Sequence, residues 1–402
     1  MKRSACEAVS PAADALPLQD WLPDQARAGS GRLKIVFVVR NALGIFRTGD
    51  SEVGGSELKT VQFAKRLAED PRFDVHFACW GKSDDEFEQH GVNVSVWNYE
   101  SPALRRFPGL RGAVAQGDLI LRLSRMRADV VIQSCAGLET VSAAIAARLS
   151  RATFVFWISS IIDVNGKLER DLGRVLGPLY AWSLRRAAHV ICQTQEQVQL
   201  VERRVGLPST VVPSMPPPIR SHLNPDLDRT HVLWIGHWTT IKGPERFVEL
   251  ARRFPQLPFE MLVSSRPAEL PADLPRNLSL HYGLGPAQVA AHLSRARVLV
   301  NTSRSEGFPN TFLEAAMAGT PILSLSANPD DILEKHELGF CAGGDQKLLA
   351  IYLKRLLANE KLWRRCSDQG TSYIDEHHDP AYATSVLTNL LTRLSLPAPR
   401  SA

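Results

Sequence analysis

Short runs of β-branched and other apolar residues alternate along the chain with segments whose apolar residues recur at helical spacing. The first run is Lys34–Val39, and a helical pattern follows from Ser56 to about Ala68. Further runs in the first half are Phe73–Ala78, Val92–Val96, Asp129–Ile132, Phe154–Ile158 and Val190–Gln193. Continuous apolar runs are typical of strands buried on both faces. Strands that alternate with helices predict parallel βαβ units in an open, doubly wound sheet.

The alternation of strand-like and helical segments stops between Val211 and Arg229, where five prolines predict a stiff, extended segment. A second series of strands follows at Val232–Gly236, Phe259–Val263, Leu278–His281, Val298–Asn301 and Pro321–Leu325, with a helix from about Pro244 to Phe254. A chain of 402 residues is also too long for one compact core. The sequence therefore predicts an α/β protein of two Rossmann-like domains, each a doubly wound parallel sheet, that face each other across a cleft.

The domain boundaries are placed where these patterns change. Residues 1–30 are expected to form a flexible extension and residues 31–213 the first domain. Residues 214–228 are expected to form a Pro-rich linker and residues 229–380 the second domain. Residues 381–402 are predicted to contain an amphipathic helix that packs across the junction, followed by a tail. Ligands of open α/β sheets bind at the carboxyl ends of the strands, which places the expected site in the cleft.

The charge balance is mild, with 47 Lys and Arg against 42 Asp and Glu, and it does not require nucleic acid as a partner. One stretch of the first half is locally basic and contains Arg105, Arg106, Arg111, Arg122, Arg125 and Arg127. Such a stretch is either an ordinary solvated surface or a contact for an anionic membrane or anionic acceptor.

Six cysteines are scattered along the chain without a CxxC pair or the spacing of a metal site. We interpret them as reduced, structural thiols of a cytoplasmic protein. The N-terminal residues lack the apolar core of a signal peptide, and the apolar runs are too short to span a bilayer. The expected location is the cytoplasm, with peripheral attachment to the cytoplasmic membrane face as the open alternative.

The most informative segment extends from Asn301 to Pro321 and reads as a strand, a polar loop and a helix. Pro309 suits the first turn of that helix, and Gly319 can end it. A helix N-terminus that faces a cleft offers free N–H groups and partial positive charge to a pyrophosphate. Glu306 and Glu314 can accept hydrogen bonds from sugar hydroxyls, so the expected ligand carries both phosphates and hydroxyls, as a nucleotide sugar does.

These residues resemble the retaining glycosyltransferases of family 4, which have the two-domain GT-B fold. Their hallmark is a pair of glutamates separated by seven residues in a pattern like E-G-F-x-x-x-x-L-E-A-M-A-x-G-x-P. The matching positions are Glu306, Gly307, Phe308, Leu313, Glu314, Ala315, Gly319 and Pro321, and the residues Ala316–Met317–Ala318 shift the Met-Ala of the pattern by one position. The resemblance implies that Glu306 contacts the donor sugar and that Glu314 binds the ribose hydroxyls. It also implies that backbone amides near Phe308, Asn310 and Thr311 lie beside the donor.

A second segment, Val232–Gly243, resembles the family pattern G-R-x-x-x-x-K-G, whose Arg and Lys grip the donor diphosphate. Gly236 and Lys242 match it, but His237 replaces the arginine. Fixed cations stabilise the charge that develops on a leaving diphosphate. Histidine lacks the bidentate fork of arginine and is only partly charged at neutral pH. Either His237 acts more weakly, or Arg266 or Arg304 reaches the diphosphate instead.

Weaker similarities are found elsewhere. Gly54 and Gly55, after the first strand, resemble the family's glycine-rich loop, which approaches the donor phosphates and the acceptor. Ser159, Ser160 and Asp163 either line the acceptor side or cap local structure. The loop Asn328–Gly339 resembles one that lies close to the donor in some bacterial members.

The resemblance implies a retaining, metal-independent hexosyltransferase-type enzyme without a cofactor. The first domain would bind the acceptor, and the second would bind a UDP-, GDP- or ADP-sugar. The acceptor would be a sugar, lipid-linked or small molecule, as in polysaccharide biosynthesis. His377–Asp379 is interpreted as a solvated loop and not as a metal site. A nucleotide-sugar 2-epimerase and a non-catalytic nucleotide-sugar-binding protein remain the alternatives, the latter because of His237.

Overall fold

The computed structural model describes residues 31–47, 54–98, 111–217, 219, 224 and 227–395, and these form two sheets. The first sheet contains β1 (Leu33–Val38), β2 (Phe73–Gly81), β3 (Asp85–Gln89), β4 (Val92–Asn98), β5 (Val130–Ser134), β6 (Thr153–Trp157), β7 (His189–Cys192) and β8 (Ser209–Val211). Its strand order is β3-β4-β2-β1-β5-β6-β7-β8. Neighbouring strands are parallel, except that β3 and β4 form an antiparallel pair.

The second sheet is parallel throughout its paired strands. It contains β9 (His231–Gly236), β10 (Phe259–Val263), β11 (Leu278–Tyr282), β12 (Ala296–Asn301), β13 (Ile322–Ser324) and β14 (Gly339–Cys341). Its order is β11-β10-β9-β12-β13-β14. In both sheets the strand order reverses beside the first strand, which opens a crevice at the carboxyl ends of the strands. The prediction of two doubly wound α/β domains is confirmed.

Helices connect the strands. In the first half they are α1 (Leu43–Arg47), α2 (Gly55–Ala68), α3 (Arg111–Arg125), α4 (Leu138–Ser150), α5 (Lys167–Asp171), α6 (Gly173–Leu184) and α7 (Gln195–Arg204). In the second half they are α8 (Pro244–Arg253), α9 (Pro286–Arg295), α10 (Asn310–Met317), α11 (Ile332–Lys335), α12 (Gln346–Ala358), α13 (Glu360–His377) and α14 (Pro380–Ser395). None of the helices in the described ranges combines the length and apolar composition needed to cross a membrane.

Each sheet has a hydrophobic core on both faces, which explains the continuous apolar runs in the sequence. In β1, Ile35 and Phe37 join one buried cluster, whereas Val36 and Val38 join the cluster on the opposite face. In β9, Trp234 and Leu233 divide in the same way between the two cores of the second sheet. Because side chains alternate along a strand, a strand covered on both faces needs apolar residues at successive positions.

The chain returns to the first domain at its C-terminal end. Helix α13 contacts α10 of the second domain. Helix α14 contacts α2, and its buried residues Ala383, Leu387, Leu390 and Leu391 belong to the first domain's core. The segment after residue 377 therefore links the two sheets a second time.

Some sequence predictions differ from the structure or lie outside it. The polar segment that forms β3 has the alternating exposure of an edge strand, so a search for apolar runs missed it. The short strands β8 and β14 were also missed. The N-terminal extension at 1–30, Arg105, Arg106, Pro218, Pro225 and residues 396–402 lie outside the described residues.

Candidate active site

A cavity of about 1150 Å³ lies between the two sheets. The first domain contributes residues from the start of α2 and from the loops after β6 and β7. The second domain contributes residues from the loops after β9 and β12 and from α10. Ten of the candidate residues line this cavity, namely Gly54, Gly55, Gly236, His237, Lys242, Glu306, Phe308, Asn310, Thr311 and Glu314. Ser160, Asp163, Arg266 and Arg304 are not among its lining residues.

Helix α10 presents its N-terminus at the cavity wall. The helix begins at Asn310, and Pro309 is its N-cap residue with an extended backbone, one position before the first turn predicted for it. Within the described chain, a side chain does not cap this end. Gly319, at a φ of +62°, lies just past the other end of the helix, as the sequence predicted. Of the first-turn N–H groups of α10, that of Phe312 donates to the Pro309 carbonyl oxygen at 3.0 Å. This end of the helix carries the positive end of the helix dipole, which favours an anion.

Helix α2 begins opposite α10, so the N-termini of two helices from different domains lie close together. The Asn310 side-chain amide donates a hydrogen bond of 3.2 Å to the Gly55 carbonyl oxygen. A Cβ placed on Gly55 would lie 2.9 Å from Asn310 Nδ2, and one on Gly54 would lie 2.5 Å from Glu57 Oε2. Glycine at position 55 thus allows the start of α2 to approach α10, and glycine at position 54 leaves room for the Glu57 side chain of the same helix.

The two charged residues named from the sequence form an ion pair. Lys242 Nζ lies 2.6 Å from Glu306 Oε1, and the Glu306 side chain is only 12% exposed. The backbone of the loop that carries Lys242 is held by Thr302, whose Oγ1 donates to the Lys242 carbonyl oxygen at 2.8 Å. The Trp234 indole in turn donates to Thr302 Oγ1 at 2.9 Å. These two hydrogen bonds connect the backbone of Lys242 to Trp234, a buried residue of β9.

Glu314 is a buried carboxyl group in the cavity wall. It lines the cavity from α10, its Oε2 atom is buried, and that atom has no hydrogen-bond partner among the described residues. Burial raises the pKa of Glu314 to about 7. A buried carboxyl oxygen without a donor is costly. Hydroxyl groups of a ligand could supply the missing donors.

The two domains meet closely at Gly307. A Cβ on this residue would lie 2.2 Å from the Ser159 carbonyl oxygen and 2.6 Å from Gln193 Nε2. Gln193 is held by its own hydrogen bond of 2.8 Å to the Ile158 carbonyl oxygen. Glycine at this position therefore sets the separation of the two walls beside Glu306. Gln193 has no local sequence signal, because its partner lies 35 residues away and only folding brings the two together.

Asp163 has a structural role. Its carboxylate accepts hydrogen bonds from the backbone N–H groups of Ser159 at 2.8 Å and Ser160 at 3.0 Å. Burial raises the pKa of Asp163 to about 6, even though those N–H groups act in the opposite direction. Asp163 thus orders the loop after β6, and Ser159 of that loop lines the cavity. Of the two roles considered for Asp163, local capping is the one that its contacts show.

His378 corrects one interpretation of the sequence. It was expected to lie in a solvated loop, but it is only 4% exposed and lines the cavity. Its Nδ1 lies 2.7 Å from the Ser214 carbonyl oxygen, and its ring centroid lies 5.1 Å from that of Phe308. Burial lowers the pKa of His378 to about 4, so the ring is neutral. It connects the end of α13, the linker and the donor-side loop.

The candidate substitutes for the missing arginine have other contacts. The Arg304 guanidinium lies 3.5 Å from Glu245, and that of Arg266 lies 5.9 Å from the centre of the Tyr282 ring. His237 itself lies on the cavity wall after β9. The position that the family gives to arginine therefore holds an imidazole in this chain.

The loop Asn328–Gly339 contacts the first domain. The Asp330 carboxylate accepts hydrogen bonds from the backbone N–H groups of Gln195 and Glu196 at 2.8 and 2.9 Å. These groups open α7, where a carboxylate is favourable. These hydrogen bonds thus connect this loop of the second domain to the start of α7 in the first domain.

Comparison with known proteins matches both halves of the chain. A model described as "Glycosyl transferase 4-like domain" matches residues 54–217, and one described as "Glycosyl transferases group 1" matches residues 229–359. A stretch of 95 residues is 33% identical to a probable sucrose-phosphate synthase 2 of Oryza sativa subsp. japonica. That match covers 23% of this chain and only 10% of the length of the rice protein.

Solved structures share the whole architecture. The sucrose-phosphate synthase from Thermosynechococcus elongatus has a TM-score of 0.71 at 16% identity, over 90% of this chain and 99% of that chain. Anabaena HepE, in complex with UDP and glucose, has a TM-score of 0.68 at 15% identity, over 90% of this chain and 100% of that chain. At such identities the likeness shows the fold. Together with the two family matches, it establishes that this chain belongs to the group 1 glycosyltransferases of the GT-B fold.

Proposed function

We propose that the chain is a retaining glycosyltransferase that moves a sugar from a nucleotide-sugar donor to an acceptor hydroxyl. One observation carries this proposal. A helix N-terminus, a lysine and two carboxylates surround one cavity, and the deeper carboxylate, Glu314, has a buried oxygen without a described partner. Positive groups fit the diphosphate, and carboxylates fit the hydroxyls of the ribose and the transferred sugar.

In the proposed complex the diphosphate lies against the first turn of α10, near the start of α2. Lys242 turns from Glu306 toward the phosphate that leaves, and Glu306 accepts hydrogen bonds from the donor sugar. Glu314 accepts hydrogen bonds from the ribose hydroxyls. The donor would thus satisfy the orphaned carboxylate oxygen and the uncapped helix end at once.

The proposed reaction takes place on one face of the sugar. The bond from the anomeric carbon to the β-phosphate oxygen breaks, and its electron pair stays on that oxygen. The acceptor oxygen forms the new bond on the same face, and its proton passes to the leaving phosphate. Lys242 and the two helix N-termini stabilise the negative charge on the diphosphate. We propose that this arrangement works without a divalent metal.

The acceptor is proposed to enter from the side of α2. Lys65, Arg66 and Glu69 lie on that wall of the cavity, and Arg66 pairs with Glu69 at 3.4 Å. Lys65 would therefore be the main group that favours an acceptor with an anionic group. The arginine-rich stretch at the end of α3 could contact an anionic membrane, but not all of its arginines are free to do so. Arg122 is paired with Asp84 and Asp118. Arg125 and Arg127 are exposed there.

Flotation with anionic vesicles tests the membrane part of the proposal. Wild-type protein should float, the Arg125→Glu/Arg127→Glu variant should float less, and Lys361→Glu on the exposed face of α13 should behave as wild type. If wild-type protein does not float, or if all three proteins float equally, these arginines do not contact the membrane.

Donor binding is tested by thermal shift with UDP-, GDP- and ADP-sugars. The preferred donor should raise the Tm of the wild type, and Lys242→Ala and Glu314→Ala should lose most of that shift. Lys361→Ala, which removes an exposed lysine outside the cavity, should keep it. Unchanged shifts in both cavity variants would contradict the proposal.

His237 favours one second candidate, a protein that binds the donor without transferring sugar. Release of nucleoside diphosphate in the presence of candidate acceptors distinguishes the two functions. An enzyme releases the diphosphate, and a restored arginine in His237→Arg should speed the release. A binding protein would show the thermal shift with no turnover in either form. Conversion of the donor alone to an epimer would instead indicate a 2-epimerase.

A further inference from the structure

A second group of polar side chains lies in the second domain, apart from the cavity described above. It contains His231 at the start of β9, Glu260 in β10, His281 in β11 and His292 in α9. His231 is the first residue of β9, whose last residue, Gly236, lines the cavity. At about 3.3 Å per residue, the cluster is roughly 16 Å from that end of the strand.

Two imidazole nitrogens converge on one carboxylate oxygen in this cluster. His292 Nδ1 lies 2.6 Å and His231 Nε2 lies 3.3 Å from Glu260 Oε2. Ligand atoms of these three residues all lie within 4.8 Å of one another. The ring centroid of His281 lies 4.6 Å from that of His292. A third imidazole therefore stands beside these two histidines and Glu260.

Not all polar atoms of the cluster have a hydrogen-bond partner among the described residues. The His231 side chain is only 4% exposed, and its Nε2 has no hydrogen-bond partner in the part of the chain that the structure describes. The contact of this nitrogen with Glu260 lacks hydrogen-bond geometry. Nε2 of His281 is also buried and unpartnered within the same residues. Buried polar atoms without partners are rare in folded proteins and destabilise them.

A zinc ion would provide the missing partner. Imidazole nitrogen and carboxylate oxygen both bind Zn²⁺ at 2.0–2.2 Å, which puts tetrahedral ligand atoms about 3.3 Å apart. The contact between His231 and Glu260 already has that length, and the His292 contact needs to lengthen by roughly 0.7 Å. We propose that His231, Glu260 and His292 bind a structural Zn²⁺ ion, with His281 or a water molecule as the fourth ligand.

The proposed ion would join β9, β10 and α9 of the second domain, and β11 as well where His281 is the fourth ligand. Three strands of the sheet and helix α9 each contribute one residue to the cluster. Helix α9 also carries Pro286 and Val289, which line the cavity, and His292 lies less than one turn beyond Val289. The ion would therefore stabilise the domain and fix one wall of the cavity without taking part in the transfer. Local sequence motifs gave no sign of it, because the ligands are separated by 29 and 32 residues.

The proposal is tested with the full-length, untagged protein after treatment with a chelator. Elemental analysis after equilibration with Zn²⁺ should find one ion per chain, and Co²⁺ should give the intense visible absorption of a tetrahedral site. Zn²⁺ should raise the Tm of the wild type. A wild-type protein that takes up neither ion overturns the proposal, whatever the variants do.

Three variants locate the site. His292→Ala and Glu260→Gln should each weaken Zn²⁺ binding by at least ~10-fold and remove the Co²⁺ band. His377→Ala, which removes an exposed imidazole elsewhere, should retain both. Far-UV circular dichroism before the addition of metal checks that each variant is folded. Loss of binding in His377→Ala with retention in the two cluster variants would place the ion elsewhere and contradict the proposal. Retention in all three would mean that the cluster is only a hydrogen-bonded group.

Discussion

At the scale of single residues, the site depends on groups whose properties are set by burial. Glu314 and His378 both line the cavity, and burial favours the neutral form of each: it raises the pKa of the acid and lowers that of the base. Lys242, by contrast, lies near the cavity surface and is held beside Glu306. The cavity thus combines a half-buried lysine with groups that a ligand must engage at depth.

The raised pKa of Glu314 predicts a dependence of stability on pH. Because the folded pKa of about 7 exceeds the ordinary value of 4.5, the folded state binds this proton more tightly. Stability is therefore highest below about pH 4.5 for this group and falls as the pH rises through 7. Glu314→Gln should be more stable than wild type at pH 8, by about 3 kcal/mol, and the difference should fade toward pH 5.

Urea unfolding of the ligand-free proteins at several pH values measures this difference. Glu376→Gln, on the exposed side of α13, serves as the control and should change little across the range. A difference between Glu314→Gln and wild type that is constant with pH would show that Glu314 titrates normally.

At the scale of elements, the loops after β9 and β12 are tied together beneath Lys242. Thr302, just after β12, links the Trp234 indole to the Lys242 carbonyl oxygen. Gly243, at a φ of +59°, lets the loop pass close to Thr302, since a Cβ there would lie 2.7 Å from its carbonyl oxygen. Trp234 therefore acts as a positioning residue for the lysine, through Thr302.

Replacing Thr302 with valine should misplace Lys242 with little change in volume. We expect kcat to fall ~10–100-fold while KM for the donor changes less, because Lys242 acts mainly on the charge that develops in the transition state. Steady-state kinetics checks this, and Thr392→Val on the exposed face of α14 is the control. A change confined to KM would mean that Thr302 serves donor binding and not the placement of Lys242.

Local patterns explain how much of these elements the sequence could predict. The β-branched runs and the residues from Glu306 to Pro321 carry their own local signals, so the sheets and most of the donor side were predictable. The edge strand β3 has the polar alternation of a half-exposed strand. His378 and Gln193 owe their places to contacts across 164 and 35 residues, for which no local signal exists.

At the scale of the whole molecule, a few contacts set the width of the cleft. Gly307 meets the loop after β6, Asn310 meets the start of α2, and Asp330 meets the start of α7. Two of these three contacts place a residue of the second domain at a helix N-terminus of the first. The two walls of the cavity are therefore held together by polar contacts at its edges.

Enlarging Gly307 should open the cleft. Gly307→Ala would bring a methyl group to 2.2 Å from the Ser159 carbonyl oxygen, so one wall must move. We expect kcat/KM to fall by at least ~10-fold, because misplacing groups by about an ångström costs that much or more. Gly117→Ala is the matched control, since a Cβ there meets no atom within 4 Å of the described structure. Full activity in Gly307→Ala would show that the walls tolerate a wider gap.

A crystal structure with UDP bound would show where the donor lies. We expect the diphosphate to lie against the first turn of α10 and to contact Lys242 Nζ, while the ribose hydroxyls donate to Glu314. A diphosphate bound elsewhere, or a Glu314 carboxylate that still lacks a partner in the complex, would contradict this expectation.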